Sequence, residues 1–466
     1  MEKELSLLII LCTAGRRLSR IRAGESINLD LINLDLINLN CINEPLLINL
    51  AREHKTAAAL LSGLRECLKK TGETLSPAAM KTLTLIATKE KAMRTFLMEE
   101  WDRVEKALTK NNIPMMTIKG PASSIQLYGN PIIREYTDLD IVVQAPDVLQ
   151  VLPVMENLGY VSHKKKQGFS QPWYMSKPHH LVFIHPNSPY RIEVHNSFFQ
   201  ETKTDPDYQL DNIFQRAETV VYKGAEHTIP SLLDHALLMI EHGTKHAWSQ
   251  LHWVLDAAAV LSLKNPDFHT ALAESISRLG MEKQLALIIS LIISLSVSLI
   301  RALTSIPIPE VYVAIYEQHA PKITRQILLA QNKLFSRETD HQSISHILYF
   351  SWRYTLPLAT GIRKKFVIGV RPFLVSPADA QTLPLPGILQ PLHLLLRPLF
   401  VLSRRLDQST GLGSCDATAR SNRLRKGKLD KFTCLGSCGA TAGNGVRVLP
   451  LAVARQLRRL RKDKLK

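Results

Sequence analysis

The run Asp138-Leu139-Asp140-Ile141-Val142-Val143 alternates acidic and aliphatic residues and then turns wholly apolar. Side chains on a β-strand point to opposite faces in turn, so Asp138 and Asp140 share one face while Leu139 and Ile141 share the other. Such a run needs a sheet with one buried face and one face on which two carboxylates stand together. Arg191-Ile192-Glu193-Val194-His195 repeats the pattern, with Glu193 and His195 on one face and Ile192 and Val194 opposite. A third apolar run, Met115-Met116-Thr117-Ile118, ends at Lys119-Gly120.

Three carboxylates converging from two strands can hold two divalent cations. At about 3.5–4 Å apart, two such ions stabilise both the attacking and the leaving oxygen of an in-line phosphoryl displacement. Hard oxygen ligands favour Mg²⁺ or Mn²⁺ over zinc. Gly120, lacking a side chain, lets the backbone beside Lys119 approach a phosphate closely. An Asp-x-Asp at a strand start is by itself also the mark of a solvated strand end. The order Lys-Gly, Asp-x-Asp, strand Glu is what points to chemistry.

These residues resemble the uncharacterised nucleotidyltransferase family of the polymerase-β-like superfamily. The resemblance rests on Lys119-Gly120, Leu127-Tyr128, Arg134, Asp138 to Val143, Gly159-Tyr160, His179-His180 and Ile192 to His195, in that order. It continues in His242-Gly243-Thr244-Lys245-His246-Ala247-Trp248 and Leu251-His252-Trp253-Val254-Leu255-Asp256, and extends over residues 40–400. It implies an α+β fold: a polymerase-β-like core sheet flanked by N- and C-terminal helical regions. It further implies transfer of an NMP group from an NTP to an acceptor, with release of pyrophosphate. Asp138, Asp140 and Glu193 would be the catalytic carboxylates and the ligands of Mg²⁺ or Mn²⁺. Lys119, Gly120 and Arg134 would meet the nucleotide.

Many polymerase-β-like enzymes carry Gly-Ser shortly before the acidic pair. Here Lys119-Gly120 stands there and the gap to Asp138 is long, which leaves the phosphate-binding mode open. Lys119 or Arg134 can serve a triphosphate; Arg134 can equally pair with Glu135 or another acidic neighbour. The acceptor, whether a sugar, a small antibiotic-like molecule, a peptide or a nucleic acid, leaves no mark in the sequence. Two other readings stay open. One is a nucleotide-binding or regulatory protein without turnover; the other is binding of nucleic acid or an anionic membrane surface through the basic tail.

His235, His242 and His246 fall on one helix, with His242 and His246 four apart and on the same side. Glu241 precedes His242, so this is not the zinc-protease order, in which Glu follows the first His. The two histidines with Lys245 form either a cleft wall opposite the Asp-x-Asp or ordinary helix packing. His195 and His180 lie nearer the carboxylates.

The formal charge of +17 is uneven: residues 404–466 hold sixteen Lys and Arg against four Asp, leaving about +5 for the rest. This basic tail, rich in Gly and Ser, reads as disordered, with Phe432 its sole aromatic residue for base stacking. The six cysteines show no disulfide framework, which fits a reducing cytoplasm. Met1 to Ala14 is apolar but carries Glu2 and Glu4 where a signal peptide needs positive charge. Leu285 to Ile300 is too short and serine-rich for a membrane span and reads as a buried helix.

The expected organisation is a helical region with short repeats at 1–110, the nucleotidyltransferase core at 111–225 and a helical domain at 226–335. A proline-interrupted apolar extension (336–403) and the basic tail (404–466) follow. In the core, strands are expected at Met115–Ile118, Leu139–Val143, Leu181–Ile184 and Tyr190–His195, the last two joined as a hairpin. A helix opens near Ser123, and another, from Asp147 to Leu158, should kink or split at Pro153. Ser231 is the expected cap of the helix that carries the histidines.

Overall fold

The computed structural model describes residues 2–22, 39, 42–162, 180–187, 190–199, 205–298, 308–335 and 350–362, with positions 365, 366, 368 and 396. Residues 27–38 with most of the five-residue repeats, His179, the proline-interrupted stretch after 368 except Leu396, and the basic tail lie outside the described residues. The chain divides into two units, Met1–Pro372 and Phe373–Lys466. The sheet and its helices belong to the first unit.

Period-two alternation builds its central sheet. Strand β1 (Met115–Thr117) runs antiparallel to β2 (Asp138–Val143). After β3 (Val161–Ser162) and β4 (His180–Ile184), β5 (Arg191–His195) inserts parallel to β2 and antiparallel to β4, giving the order β1-β2-β5-β4-β3. The parallel register sets Leu139 against Ile192, Asp140 against Glu193 and Ile141 against Val194. One face is therefore continuous hydrocarbon from Leu139, Ile141, Val143, Leu181, Phe183, Ile192 and Val194, all in one core cluster. The other face collects Asp138, Asp140, Arg191, Glu193, His195 and His180. The β4–β5 pairing is the expected hairpin.

Two helices cover the apolar face. Helix α4 (Pro77–Lys110) contributes Leu97, Met98, Trp101, Val104 and Leu108, and α6 (Val148–Asn157) contributes Val148, Val151, Val154 and Met155. Pro153 does not split α6. A separate 3₁₀ turn, Ala145–Asp147, precedes it and the helix is continuous from Val148. Pro153 removes the partner of one carbonyl, that of Leu149, in the first turn of α6.

Two further strands, β6 (Glu218–Tyr222) and β7 (Ala225–Ile229), form a hairpin that the sequence reading did not anticipate. Its turn places Lys223 and Gly224 at φ +52° and +82°, the left-handed pair a two-residue hairpin turn requires. Glu105 of α4 holds β7 by accepting from Thr228 N at 3.1 Å and pairing with His227 Nδ1 at 2.5 Å, and Trp101 stacks on the His227 ring.

The polar face is approached by helices from both ends of the unit. At the N-terminal end are α1 (Glu2–Arg22), α2 (Glu44–Glu53) and α3 (Ala57–Thr71). Helices α1 and α3 cross at Gly15 and Gly63. A Cβ at Gly63 would lie 2.0 Å from the Leu11 carbonyl oxygen, so the close crossing needs glycine there. Beyond the sheet come α7 (Leu210–Gln215), α8 (Leu232–Lys245), α9 (Leu251–Leu261), α10 (Pro266–Leu279) and α11 (Glu282–Ser298). Ser231 caps α8, its Oγ accepting from Asp234 N. The Ile-Ile-Ser-Leu repeat lies in α11, where the Ser290 and Ser294 hydroxyls each donate to the carbonyl four residues back. Leu285 to Ile292 is buried as expected, and no described helix is long and apolar enough to cross a membrane.

A buried ionic network ties these helices to the loop that enters β2. Arg134 Nε donates to Asp256 Oδ2 at 2.5 Å, and Tyr128 Oη, at the end of α5 (Pro121–Tyr128), donates to Asp256 Oδ1 at 2.9 Å. Arg16 pairs with Glu135 and lies over the Tyr128 ring at 4.7 Å. Ala58 N, at the start of α3, donates to the second Glu135 oxygen at 3.1 Å. Four helices thus fix the backbone that leads directly into Asp138.

Candidate active site

The site grows from the β2–β5 pair. Asp140 is nearly buried, and its Oδ1 accepts from Lys119 Nζ at 3.1 Å and from His195 Nε2 at 2.8 Å. Because the carboxylate is acceptor-only, Nε2 carries the hydrogen. Burial opposes the charge on Asp140, but Lys119 and His195 together outweigh it and hold the carboxyl well below its ordinary range. Burial, reinforced by Lys119, pulls His195 down against the stabilising Asp140 bond, so its ring is neutral near pH 7. Glu193 is pushed up by burial and by the neighbouring Asp140 charge, with Arg191 opposing. Two carboxylates one strand apart thus have their proton affinities driven in opposite directions.

Arg191 belongs to this face although no sequence argument gave it a role. Its Nη2 donates to Asp138 Oδ2 at 3.1 Å and its Nε lies 3.2 Å from Glu193 Oε1. The signal was present in its strand, since Arg191 shares the period-two face of Glu193 and His195. His180 completes the row, 3.8 Å from Glu193 Oε2.

Lys119 and Gly120 lead into α5. Gly120 sits at φ +49°, ψ −112°, as the N-cap of that helix. A Cβ there would lie 3.3 Å from the Tyr136 ring and 3.4 Å from the Asp138 carbonyl oxygen. The glycine therefore serves a backbone that no other residue adopts comfortably. Gly120→Ala is expected to cost about 1–3 kcal/mol, read as a lower urea midpoint; an unchanged midpoint would show the turn to be relaxed.

The facing wall comes from α8 and α9. His242 lines a small pocket with Lys119, Ser123, Arg134, Leu238, Met239, Trp253 and Asp256. Burial, Lys119 and His246 drive its pKa well down, so it is a neutral ring. His246 packs 4.6 Å from His242 and 5.4 Å from Trp253, between ring centroids. Lys245 is exposed, and its charge acts on both His195 and His242. His235 is further back, with Nε2 2.8 Å from Ser123 Oγ and Nδ1 2.5 Å from Gln126 Oε1. Both its nitrogens are used in joining α8 to α5, and burial lowers its pKa to about 3. Arg134 borders the pocket while paired with Asp256 rather than with the Glu135 carboxylate. The enclosed space is about 20 Å³, the size of one water. The pocket is far too small to take a nucleotide.

The donor set fits a divalent cation. Asp140, Glu193 and His195 each offer one ligand atom, all within 4.8 Å of one another. This cluster takes His195 where the sequence reading had Asp138, which stands on the same face with its Oδ2 held by Arg191. The imidazole makes this a mixed nitrogen and oxygen set, unlike the three carboxylates expected from the sequence.

No curated protein matches this chain. A family match covers residues 40–295, more than half of the 466-residue chain, and takes in every side chain of the cluster together with α8 and α9. On that match and this arrangement of side chains, the chain belongs to the family of uncharacterised nucleotidyltransferases.

Proposed function

We propose that the protein transfers a nucleoside monophosphate from an NTP to an acceptor nucleophile on a polymerase-β-like core sheet. The acceptor oxygen or nitrogen bonds to the α-phosphorus, the bond to the β-phosphate bridging oxygen breaks, and pyrophosphate leaves. The acceptor proton passes to a base. The observation that carries this reading is the convergence of Asp138, Asp140, Glu193 and His195 on one face of β2 and β5, with Lys119 against Asp140.

Asp140, Glu193 and His195 would hold a divalent cation, the His195 ring then turning to the tautomer that frees its Nε2 lone pair, with Asp138 available on the same face. Such an ion, when bound, neutralises charge on the phosphate oxygens. Lys119 offers its ammonium to the triphosphate from beside Asp140. Glu193, with its raised proton affinity, is the group suited to receive the acceptor proton. The neutral rings of His242 and Trp253 restrict water on the opposite side. In this reading residues 111–225 form the core and 226–335 the helical domain that closes over it.

The test is pyrophosphate release from the four NTPs with Mn²⁺ or Mg²⁺, using cell extract as the acceptor source. Metal-dependent release supports transfer. NTP binding without release would favour a regulatory nucleotide-binding role instead. Mn²⁺ should support the faster reaction, and His195→Ala should shrink the Mn²⁺ preference by about tenfold. An unaltered Mn²⁺/Mg²⁺ ratio in that variant would remove His195 from the metal set.

A further inference from the structure

The corner between α2 and α3 carries Lys55, which no sequence motif singles out. Its backbone is left-handed at φ +51°, a region residues other than Gly, Asn and Asp avoid. The corner is nevertheless closely fixed. Lys55 N donates to the Arg52 carbonyl at 3.2 Å and Thr56 N to the Ala51 carbonyl at 2.8 Å. His54 Nδ1 accepts from Leu251 N at 3.3 Å, and the His54 carbonyl accepts from the His252 ring at 3.3 Å, both at the start of α9. One turn further on, Ala58 N is bonded to Glu135 in the loop that enters β2. Lys55 is thus held between the helix that faces the site and the strand that carries the site.

The side chain is half-buried and has no hydrogen bond or ion pair among the described residues. The Ala58–Glu135 bond brings this corner against the loop that runs into Asp138, and the charges that act most on Lys55 are those of Asp138, Arg134, Arg191 and Asp140. All four of these groups are already engaged: Asp138 with Arg191, Asp140 with Lys119 and His195, and Arg134 with Asp256. Burial lowers the Lys55 pKa, with Asp138 opposing, as expected of an ammonium stripped of water and not yet given a counter-ion. A cation that is partly desolvated and unpaired carries a cost that a counter-ion would relieve. An anion arriving over the sheet face would supply what it lacks.

We infer that Lys55 is a phosphate-binding residue of this site, donating to the triphosphate of the bound NTP. The inference rests on the nucleotidyl-transfer reading and adds to it a group from outside the sheet.

Inorganic tripolyphosphate with Mn²⁺, titrated into the full-length protein by calorimetry, isolates the phosphate contact from any base preference. Lys55→Asn removes the charge while suiting the left-handed backbone. It should weaken tripolyphosphate binding by about 10- to 100-fold, with a thermal midpoint equal to or above that of wild type. Lys55→Arg should restore most of the affinity. Equal affinity in Lys55→Asn overturns the inference and leaves nucleotidyl transfer standing. So does a loss of binding accompanied by a lowered midpoint and no rescue by arginine, which marks a structural role. A wild-type protein that neither binds tripolyphosphate nor releases pyrophosphate from any NTP overturns both.

Discussion

Asp140→Asn is expected to lose metal-dependent pyrophosphate release by about 10³-fold or more while remaining folded. The two effects separate because of what surrounds the carboxylate. Asparagine keeps an oxygen for the His195 Nε2 bond and the same volume against the sheet. Lys119 loses its counter-ion, but its side chain is one-fifth exposed and can turn to water. The charge that Asp140 contributes to a cation cannot be replaced in the same way. Lys119 and His195 keep the wild-type carboxyl ionised far into acid, so its protonation does not limit the rate near neutral pH. Turnover is read by a coupled pyrophosphate assay and folding by thermal melting. A variant retaining a tenth of wild-type turnover would remove Asp140 from the centre of the chemistry.

The second large effect concerns stability. Asp256→Ala should destabilise the chain by about 3–5 kcal/mol, measured by urea denaturation. Asp256 is almost completely buried and is the counter-ion of Arg134, itself nearly buried, and the acceptor of the Tyr128 hydroxyl. Removing the carboxylate strands a guanidinium beneath α9, and water has little access to it. Replacing both partners with apolar residues, Arg134→Met with Asp256→Leu, should recover much of the loss, since no buried charge is then left unpaired. A loss below about 1 kcal/mol in Asp256→Ala would mean that the pair is hydrated or readily rearranged. The network leads into Asp138, so the single variant should also lose turnover beyond what its folded fraction explains.

The central sheet was legible because its strands are half-buried. Leu139, Ile141, Ile192 and Val194 alternate with Asp138, Asp140, Glu193 and His195, and that alternation fixes both the strand and its polar face. Ser231, opening an amphipathic run, was likewise readable as a cap. The β6–β7 hairpin escaped because Glu218, Thr219, Glu226 and Thr228 blur the alternation and Lys rather than Asn precedes the turn glycine. Pro153, in the middle of α6, leaves only the Leu149 carbonyl without its partner, and the helix runs on without splitting.

Within the site, local pattern revealed the carboxylates but not their partners. Arg16 reaches Glu135 across 119 residues and Arg134 reaches Asp256 across 122, and no spacing rule connects groups so far apart. Lys55 gave no signal, since a lysine between two helices reads as solvated surface until its neighbours are placed. The acidic partner of Arg134 is Asp256, whose side chain arrives from α9 rather than from the adjacent Glu135.

The measurement that tests nucleotidyl transfer most directly uses NTP labelled separately at the α- and γ-phosphates, with Mn²⁺ and cell extract. The account predicts that the α-label moves to the acceptor while the γ-label appears in pyrophosphate, and that both signals disappear in Asp140→Asn. Transfer of the γ-label to the acceptor, or retention of both labels on intact NTP in wild type and variant alike, would contradict it.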